Sequence, residues 1–239
     1  MVKPDNKADT GKKEQVQQMF DDISPKYDLL NRVLSLGIDI KWRKRVVEIL
    51  KPHKPSYILD VATGTADLAI SMMELNPSKI VGVDISQGML NKGKIKLINK
   101  GLDSVITLQQ GDSENLNFVD NTFDAITVAF GVRNYENLRL GLSEMLRVLK
   151  PEGILVILEF SQPKNKLFGS IYRFYFNNIL PAIGKLISKN AKAYTYLPQS
   201  VGAFPYGDEM LNILNEIGYK NTKCEELTMG IASIYEASK

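Results

Sequence analysis

Cysteine and histidine are nearly absent. The 239-residue chain has one of each, which excludes an internal disulfide framework, a multi-thiolate zinc or iron–sulfur site and a His-rich metal site. A Ser–His–Asp triad would rest on His53 alone, and Pro52-His53-Lys54-Pro55 reads as a loop ahead of the first strand. No stretch has the ~20 uninterrupted apolar residues of a spanning helix. The N-terminus lacks the apolar run of a secretory signal, so a cytoplasmic protein is expected. Charge of one sign is scarce too: 30 basic against 27 acidic residues give +3, too little for a general nucleic-acid coater. The 44% hydrophobic and 24% charged content is that of a folded globular chain.

One local absence is sharper. Positions 161–206 contain no Asp or Glu, while Lys164, Lys166, Arg173, Lys185, Lys189 and Lys192 are all basic. Nine of the chain's aromatic residues fall in the same block, among them Phe168, Tyr172, Tyr175, Tyr194 and Tyr196. A basic, aromatic cover segment in an otherwise slightly acidic chain suits something both apolar and anionic, and an anionic membrane surface has that description. The helical spacing of Leu167, Ile171, Tyr175, Ile179, Ile183 and Leu186 within it also fits plain core packing.

Residues 1–13 show no apolar periodicity and are expected to be a disordered tail. A single domain follows over 14–239, opening with helices over 14–52; the first carries Val16, Met19, Phe20 and Ile23 on one stripe, and the next starts at Asp39 as N-cap. Short apolar runs at 57–61, 80–84, 105–109, 123–128 and 154–160 then alternate with helical stretches at 66–75, 86–99 and 138–149. Runs that are apolar on both faces and alternate with helices indicate a doubly wound, mostly parallel α/β sheet. A helical stretch over 166–188 broken at Pro181, a helix over 208–217 and a strand pair at 221–227 and 231–237 bring the sheet to seven strands. Cys224 falls in the first of that pair.

In such a sheet ligands bind at the carboxyl ends of the strands. The first strand runs into Asp60-Val61-Ala62-Thr63-Gly64-Thr65-Ala66-Asp67, where Gly64 lets a ligand approach the backbone. The second ends in Asp84, a carboxylate suited to a ribose diol, and the third leads to Asp112-Ser113, where an acid can take an exocyclic adenine amine. Asp67 stands where a dinucleotide fingerprint would have its third glycine and would repel a pyrophosphate. An adenosine bearing an amino group and no phosphate meets no such repulsion, and S-adenosylmethionine is such a ligand.

The series resembles the class I S-adenosylmethionine-dependent methyltransferases, a Rossmann-like fold. Tyr27-Asp28-Leu29-Leu30-Asn31 with Ser35, Asp39 and Trp42, the run Phe130-Gly131-Val132-Arg133-Asn134, and Arg147-Val148-Leu149-Lys150-Pro151-Glu152-Gly153 continuing to Glu159-Phe160-Ser161 resemble the signatures of the quinone-biosynthesis C-methyltransferases. Asp39 replaces a common His and Glu152 interrupts the usual Pro-Gly-Gly, both at a cap or turn. The resemblance implies C-methylation of a lipophilic polyprenyl hydroquinone, demethylmenaquinol foremost. The benzoquinol of the ubiquinone pathway or a soluble small molecule is the alternative. It implies a cofactor site on Asp60, Gly64, Thr65, Asp84, Asp112, Ser113 and Ala129, and catalytic roles for Asp67, Arg133 and Asn134. No metal is called for, because the sulfonium methyl is already activated. Arg133 and Asn134 are expected to hold a ring oxygen or a water, with Asp67 near the sulfonium; a plain salt bridge from Arg133 to Glu136 or Glu159 is the competing reading. Glu159 either faces the substrate mouth or caps its strand. No Asn/Asp-Pro-Pro-aromatic loop follows the fourth strand and no second cysteine exists, so a nucleic acid is not the expected acceptor. A peripheral position on the inner face of the cytoplasmic membrane follows from the lipid substrate, and whether the chain forms a homodimer stays open.

Overall fold

Seven strands form one sheet in the order β3-β2-β1-β4-β5-β7-β6, with β1 at Tyr57–Val61, β2 at Lys79–Asp84, β3 at Ile106–Gln110, β4 at Phe123–Ala129, β5 at Leu149–Phe160, β6 at Lys220–Leu227 and β7 at Ala232–Ser238. This is a computed structural model, and it describes residues 2–5, 8–165, 169–170, 172, 174–175, 178 and 191–239. Only β7 runs against its neighbours; the other pairings are parallel. The strand order reverses between β1 and β4, so the chain leaves these two adjacent strands in opposite directions and opens a crevice at their carboxyl ends.

Alternation along each strand divides the core. Leu59 and Val61 of β1, Ile126 and Val128 of β4, and Leu155 and Ile157 of β5 face one side, with α6 (Leu138–Val148) and α8 (Asp208–Ile217). Ile58, Ala125, Val156 and Leu158 face the other, with α3 (Ile38–Leu50), α4 (Asp67–Ser71) and α5 (Gln87–Lys100). A period of two on strands buried on both faces places every inward side chain in one of two apolar layers. A third cluster lies apart from these layers: Val16, Met19 and Ile23 of α1 (Lys12–Ile23) meet Met89 on α5, and Ala193, Tyr196 and Val201 of α7 (Ala191–Ala203).

Several boundaries differ from expectation for identifiable reasons. Helix α1 starts at Lys12, inside the stretch read as a tail, because Lys12 and Lys13 find partners more than 90 residues away. Asp39 does not cap α3. The helix begins at Ile38 after Gly37, at φ 76°, and the Asp39 carboxylate bonds Arg43 and accepts from Ser35 Oγ at 2.6 Å. β5 reaches back through Pro151-Glu152-Gly153, where Glu152 has φ 62°. Ser86 does cap α5, accepting from the Met89 amide. Most of the helix expected over 166–188, with Lys185 and Lys189, lies outside the described residues. His53 is exposed and Cys224 is half-buried in β6.

Candidate active site

The turn after β1 holds three residues in the left-handed region, Ala62, Gly64 and Ala66, at φ 53°, 58° and 67°. Two of them carry a Cβ, which makes the turn strained, and the surrounding bonds hold it. Asp60 is buried beneath it, accepting from Thr63 Oγ1 at 2.6 Å and from Thr127 Oγ1 of β4 at 2.7 Å. The Gly64 amide donates to Asp84 Oδ2 at 2.7 Å, and the Ser86 amide to Asp84 Oδ1 at 2.9 Å. These backbone donors fix the Asp84 carboxylate at the end of β2.

Asp84 is on the wall of a cleft that opens to solvent, together with Gly64, Asp112, Ser113, Ala129, Phe130 and Asn134. Six of these, all but Phe130, are among the ten residues expected to bind cofactor or take part in catalysis. Asp60, Thr65, Asp67 and Arg133 are not on that wall. The carboxylate of Asp67, the residue expected near the sulfonium, is 2.5 Å from Lys96 and 3.6 Å from Arg43 and stands paired with two cations. Thr65 Oγ1 donates to Asp28 at 2.5 Å, and Lys96 also reaches Asp28 at 2.9 Å. Thr65 and Asp67 therefore anchor the helices α2 (Tyr27–Leu34) and α3 to the turn.

The roof of the cleft is α1, which the sequence did not assign to the site. Lys13, Val16 and Phe20 line it with Tyr27. Lys13 pairs with Asp112 at 2.6 Å and Glu114 at 3.3 Å, while Lys12 donates to the carbonyls of Arg133 and Tyr135 at 3.1 and 2.6 Å. The apolar stripe on α1 was the available signal, since such a stripe needs something to cover.

Arg133 and Asn134 occupy a short 3-10 turn, Val132–Asn134, after β4. Arg133 Nη1 bonds Glu159 Oε1 at 2.7 Å and also the Phe130 carbonyl, and the Arg133 amide bonds Glu159 Oε2 at 3.3 Å. Of the two sequence readings of Arg133, the salt bridge to Glu159 is present. Glu159 is 0% exposed and does not open to a mouth; its carboxylate accepts from the Phe160 amide at 2.8 Å at the end of the strand. Burial pushes its carboxyl up, opposed by the Arg133 cation. Beyond the pair, Trp42, Phe130 and Phe160 form a continuous aromatic wall with ring centroids 4.6–6.2 Å apart, and the Arg133 guanidinium stands 5.4 Å from the Phe160 ring.

Comparison with known proteins fits this arrangement. The family model described as the ubiE/COQ5 methyltransferase family matches residues 8–239. The chain belongs to that family. A demethylmenaquinone methyltransferase of Bacteroides fragilis is 49% identical over 97% of this chain and 95% of its own length. A protein of Geotalea daltonii named ubiquinone/menaquinone biosynthesis C-methyltransferase UbiE is 47% identical over 96% of this chain and 98% of its own. Among solved structures, a methyltransferase of Thermotoga maritima described as a possible histamine N-methyltransferase superposes with a TM-score of 0.66, covering 93% of this chain and 99% of that one at 16% identity. The fold is thus that of S-adenosylmethionine-dependent methyltransferases.

The residues present fit that cofactor. Four carboxylates line the cleft, Asp84, Asp112, Glu114 and Glu136, against the single ammonium of Lys13. An acidic wall favours a sulfonium and an amino group and disfavours phosphate. Asp84 would hold the ribose hydroxyls, and Asp112 with Ser113 the adenine edge. Gly64, at positive φ, would let the methionine portion approach the backbone.

Burial pushes the Asp84 carboxyl from its ordinary 3.8 to about 6, against the opposing bonds from Ser86 and Gly64, and burial moves Asp60 to about 6 as well. Between these values the folded carboxyls hold protons that the unfolded chain has released. Their contribution to stability is therefore full below pH 3.8 and is lost as pH rises through 6. Ribose binding favours the carboxylate, so the linkage runs the other way for the cofactor. Calorimetry with S-adenosylhomocysteine should show affinity falling about tenfold per pH unit below pH 6. Asp84→Asn should bind more weakly throughout and lose most of that dependence, whereas affinity flat from pH 5 to 8 in the unmodified protein would remove Asp84 from the site.

Proposed function

We propose that the protein transfers the methyl group of S-adenosylmethionine to a ring carbon of demethylmenaquinol, forming menaquinol in menaquinone biosynthesis. The observation that carries this reading is a fixed, buried cation, Arg133, on the same turn as cleft-lining Asn134 and against an aromatic wall. A phenol approaching that wall meets a positive charge at its oxygen. The near-full-length relatives named for demethylmenaquinone and menaquinone chemistry support the naphthoquinol as acceptor.

When bound, S-adenosylmethionine supplies a methyl group already activated by its sulfonium. The chain supplies the electron-rich partner. Arg133 beside the ring hydroxyl lowers its pKa and so favours the phenolate at neutral pH. Asn134 orients the hydroxyl, and its proton leaves through water. The phenolate charge spreads to the neighbouring ring carbon, which takes the methyl as the bond from that methyl to sulfur breaks, and which then gives its own proton to water to restore the aromatic ring. Glu159 holds Arg133 in register by two bonds and touches no reactant. The aromatic wall positions the ring.

A lipid tail on the acceptor calls for a lipid-facing surface. No helix among the described residues is long and apolar enough to cross a membrane. Leu36 is 81% exposed, with Ile40 and Met229 also exposed, and the bond from Trp42 Nε1 to Thr228 Oγ1 at 2.8 Å brings their two segments together beside the aromatic wall. Exposed Lys41 and Lys44 on α3 flank them, each worth ~1 kcal/mol near an anionic surface. On this reading the rim makes transient contact with the bilayer that holds the quinol.

Arg133→Lys keeps the charge but loses the guanidinium fork, so kcat on demethylmenaquinol should fall at least tenfold with cofactor affinity within threefold. Equal loss of both would place Arg133 in a purely structural role. The unmodified protein should co-sediment with anionic vesicles at low salt and less at high salt. Leu36→Ser with Ile40→Ser should weaken this several-fold and leave turnover of a short-tailed soluble quinol unchanged. Unmodified protein that stays in the supernatant at low salt ends the membrane reading.

A further inference from the structure

Tyr196 has a hydroxyl that is buried and has no hydrogen-bond partner among the described residues, and the side chain is 2% exposed. It belongs to α7, which packs against the turn carrying Arg133 and Asn134. Two atoms of that turn share the same condition: Arg133 Nε and Asn134 Oδ1 are buried without partners among the described residues. Buried polar groups are almost always paired, and an orphan forfeits its hydration for nothing. Three such atoms on two packed elements, beside one ion pair, form a set that a ligand can satisfy.

Their chemistry is complementary to one kind of group. Arg133 Nε–H donates only, Asn134 Oδ1 accepts only, and Tyr196 can donate through its hydroxyl. The Asn134 orientation is set by its Nδ2, which donates to the Phe130 carbonyl at 3.3 Å. A ring hydroxyl offers one hydrogen to Asn134 and two lone pairs to the donors. Phe160, part of the aromatic wall, packs against the cluster that contains Tyr196, so the orphans lie where a flat ring would meet that wall.

We propose that Tyr196 is an acceptor-binding residue, its hydroxyl donating to the ring oxygen of the quinol that Arg133 and Asn134 also hold. This rests on the reading of function given above and adds α7 to the acceptor subsite. Burial raises the Tyr196 phenol to about 12, with the Arg133 charge acting against that shift and Glu159 adding to it. It keeps its proton at neutral pH, so it acts as a donor to the developing phenolate and not as the base.

Tyr196→Phe removes the hydroxyl and nothing else, and the proposal predicts effects of opposite kind. The unliganded variant should melt at the same temperature as the unmodified protein or higher, because an unsatisfied buried group is gone. S-adenosylhomocysteine affinity should stay within twofold. kcat/KM for a short-tailed demethylmenaquinol analogue should fall ten- to a hundredfold, as should calorimetric affinity for 1,4-dihydroxynaphthalene on the S-adenosylhomocysteine complex. A kcat/KM and ring affinity within threefold of the unmodified protein would overturn the assignment. So would a lowered melting temperature with cofactor and ring affinity falling together, which marks a structural hydroxyl. If the unmodified protein binds cofactor but does not methylate the analogue, the reading of function fails, and the ring-binding comparison alone still decides whether Tyr196 holds a hydroxylated ring.

Discussion

The site depends on one buried ion pair. Glu159 ends β5 with no exposure, and Arg133 follows β4, the next strand in the sheet. A carboxylate in that position is tolerated only while the guanidinium meets it, and removing one partner of such a pair typically costs about 3–5 kcal/mol. The guanidinium is fixed through Nη1, which donates both to Glu159 and to the Phe130 carbonyl. Nε is buried without a partner among the described residues, and the guanidinium stands beside the aromatic wall. An apolar pair of the same volume could serve the fold as well. A rigid positive charge against aromatic rings serves the proposed chemistry, where negative charge develops on a phenol.

The two halves of the crevice have opposite electrostatics, and the turn after β4 joins them. On the cofactor side carboxylates outnumber cations, and Lys13 bridges two of them from the roof. On the side proposed for the acceptor stand a cation and three aromatic rings. Lys12 holds the same turn from outside by its bonds to the Arg133 and Tyr135 carbonyls. The N-terminal helices are therefore part of the site. Asp28, Asp39, Arg43, Asp67 and Lys96 lock them to the glycine turn through a charged network.

The seven strands were legible because each is a compact apolar run, and Ser86 was legible as a cap because its bond is local. The cofactor wall followed from the same logic, since strand ends converge once the sheet is known. Charge partners at long range were not legible. Nothing near Lys12 or Lys13 in sequence shows that their carboxylates and carbonyls lie beyond position 110. The partners of Asp67 were hidden for that reason, because Lys96 and Arg43 reach it from separate helices. The sequence offered Arg133 both Glu136 and Glu159 as salt-bridge partners, and only the fold shows that the buried Glu159 is the one it meets. Tyr196 was read as one member of a basic, aromatic surface, yet its ring is buried; composition cannot distinguish an aromatic that faces lipid from one that faces a site.

The most direct measurement of the central claim is the position of the transferred methyl. Purified protein, S-adenosylmethionine carrying a carbon-13 methyl and demethylmenaquinol are incubated together, and the product is examined by carbon nuclear magnetic resonance. An acidic cofactor cleft joined to a cation that generates a ring phenolate predicts a single labelled methyl on the ring carbon next to a hydroxyl-bearing carbon. Label on the hydroxyl oxygen, or transfer to soluble phenols with none to the quinol, would contradict it.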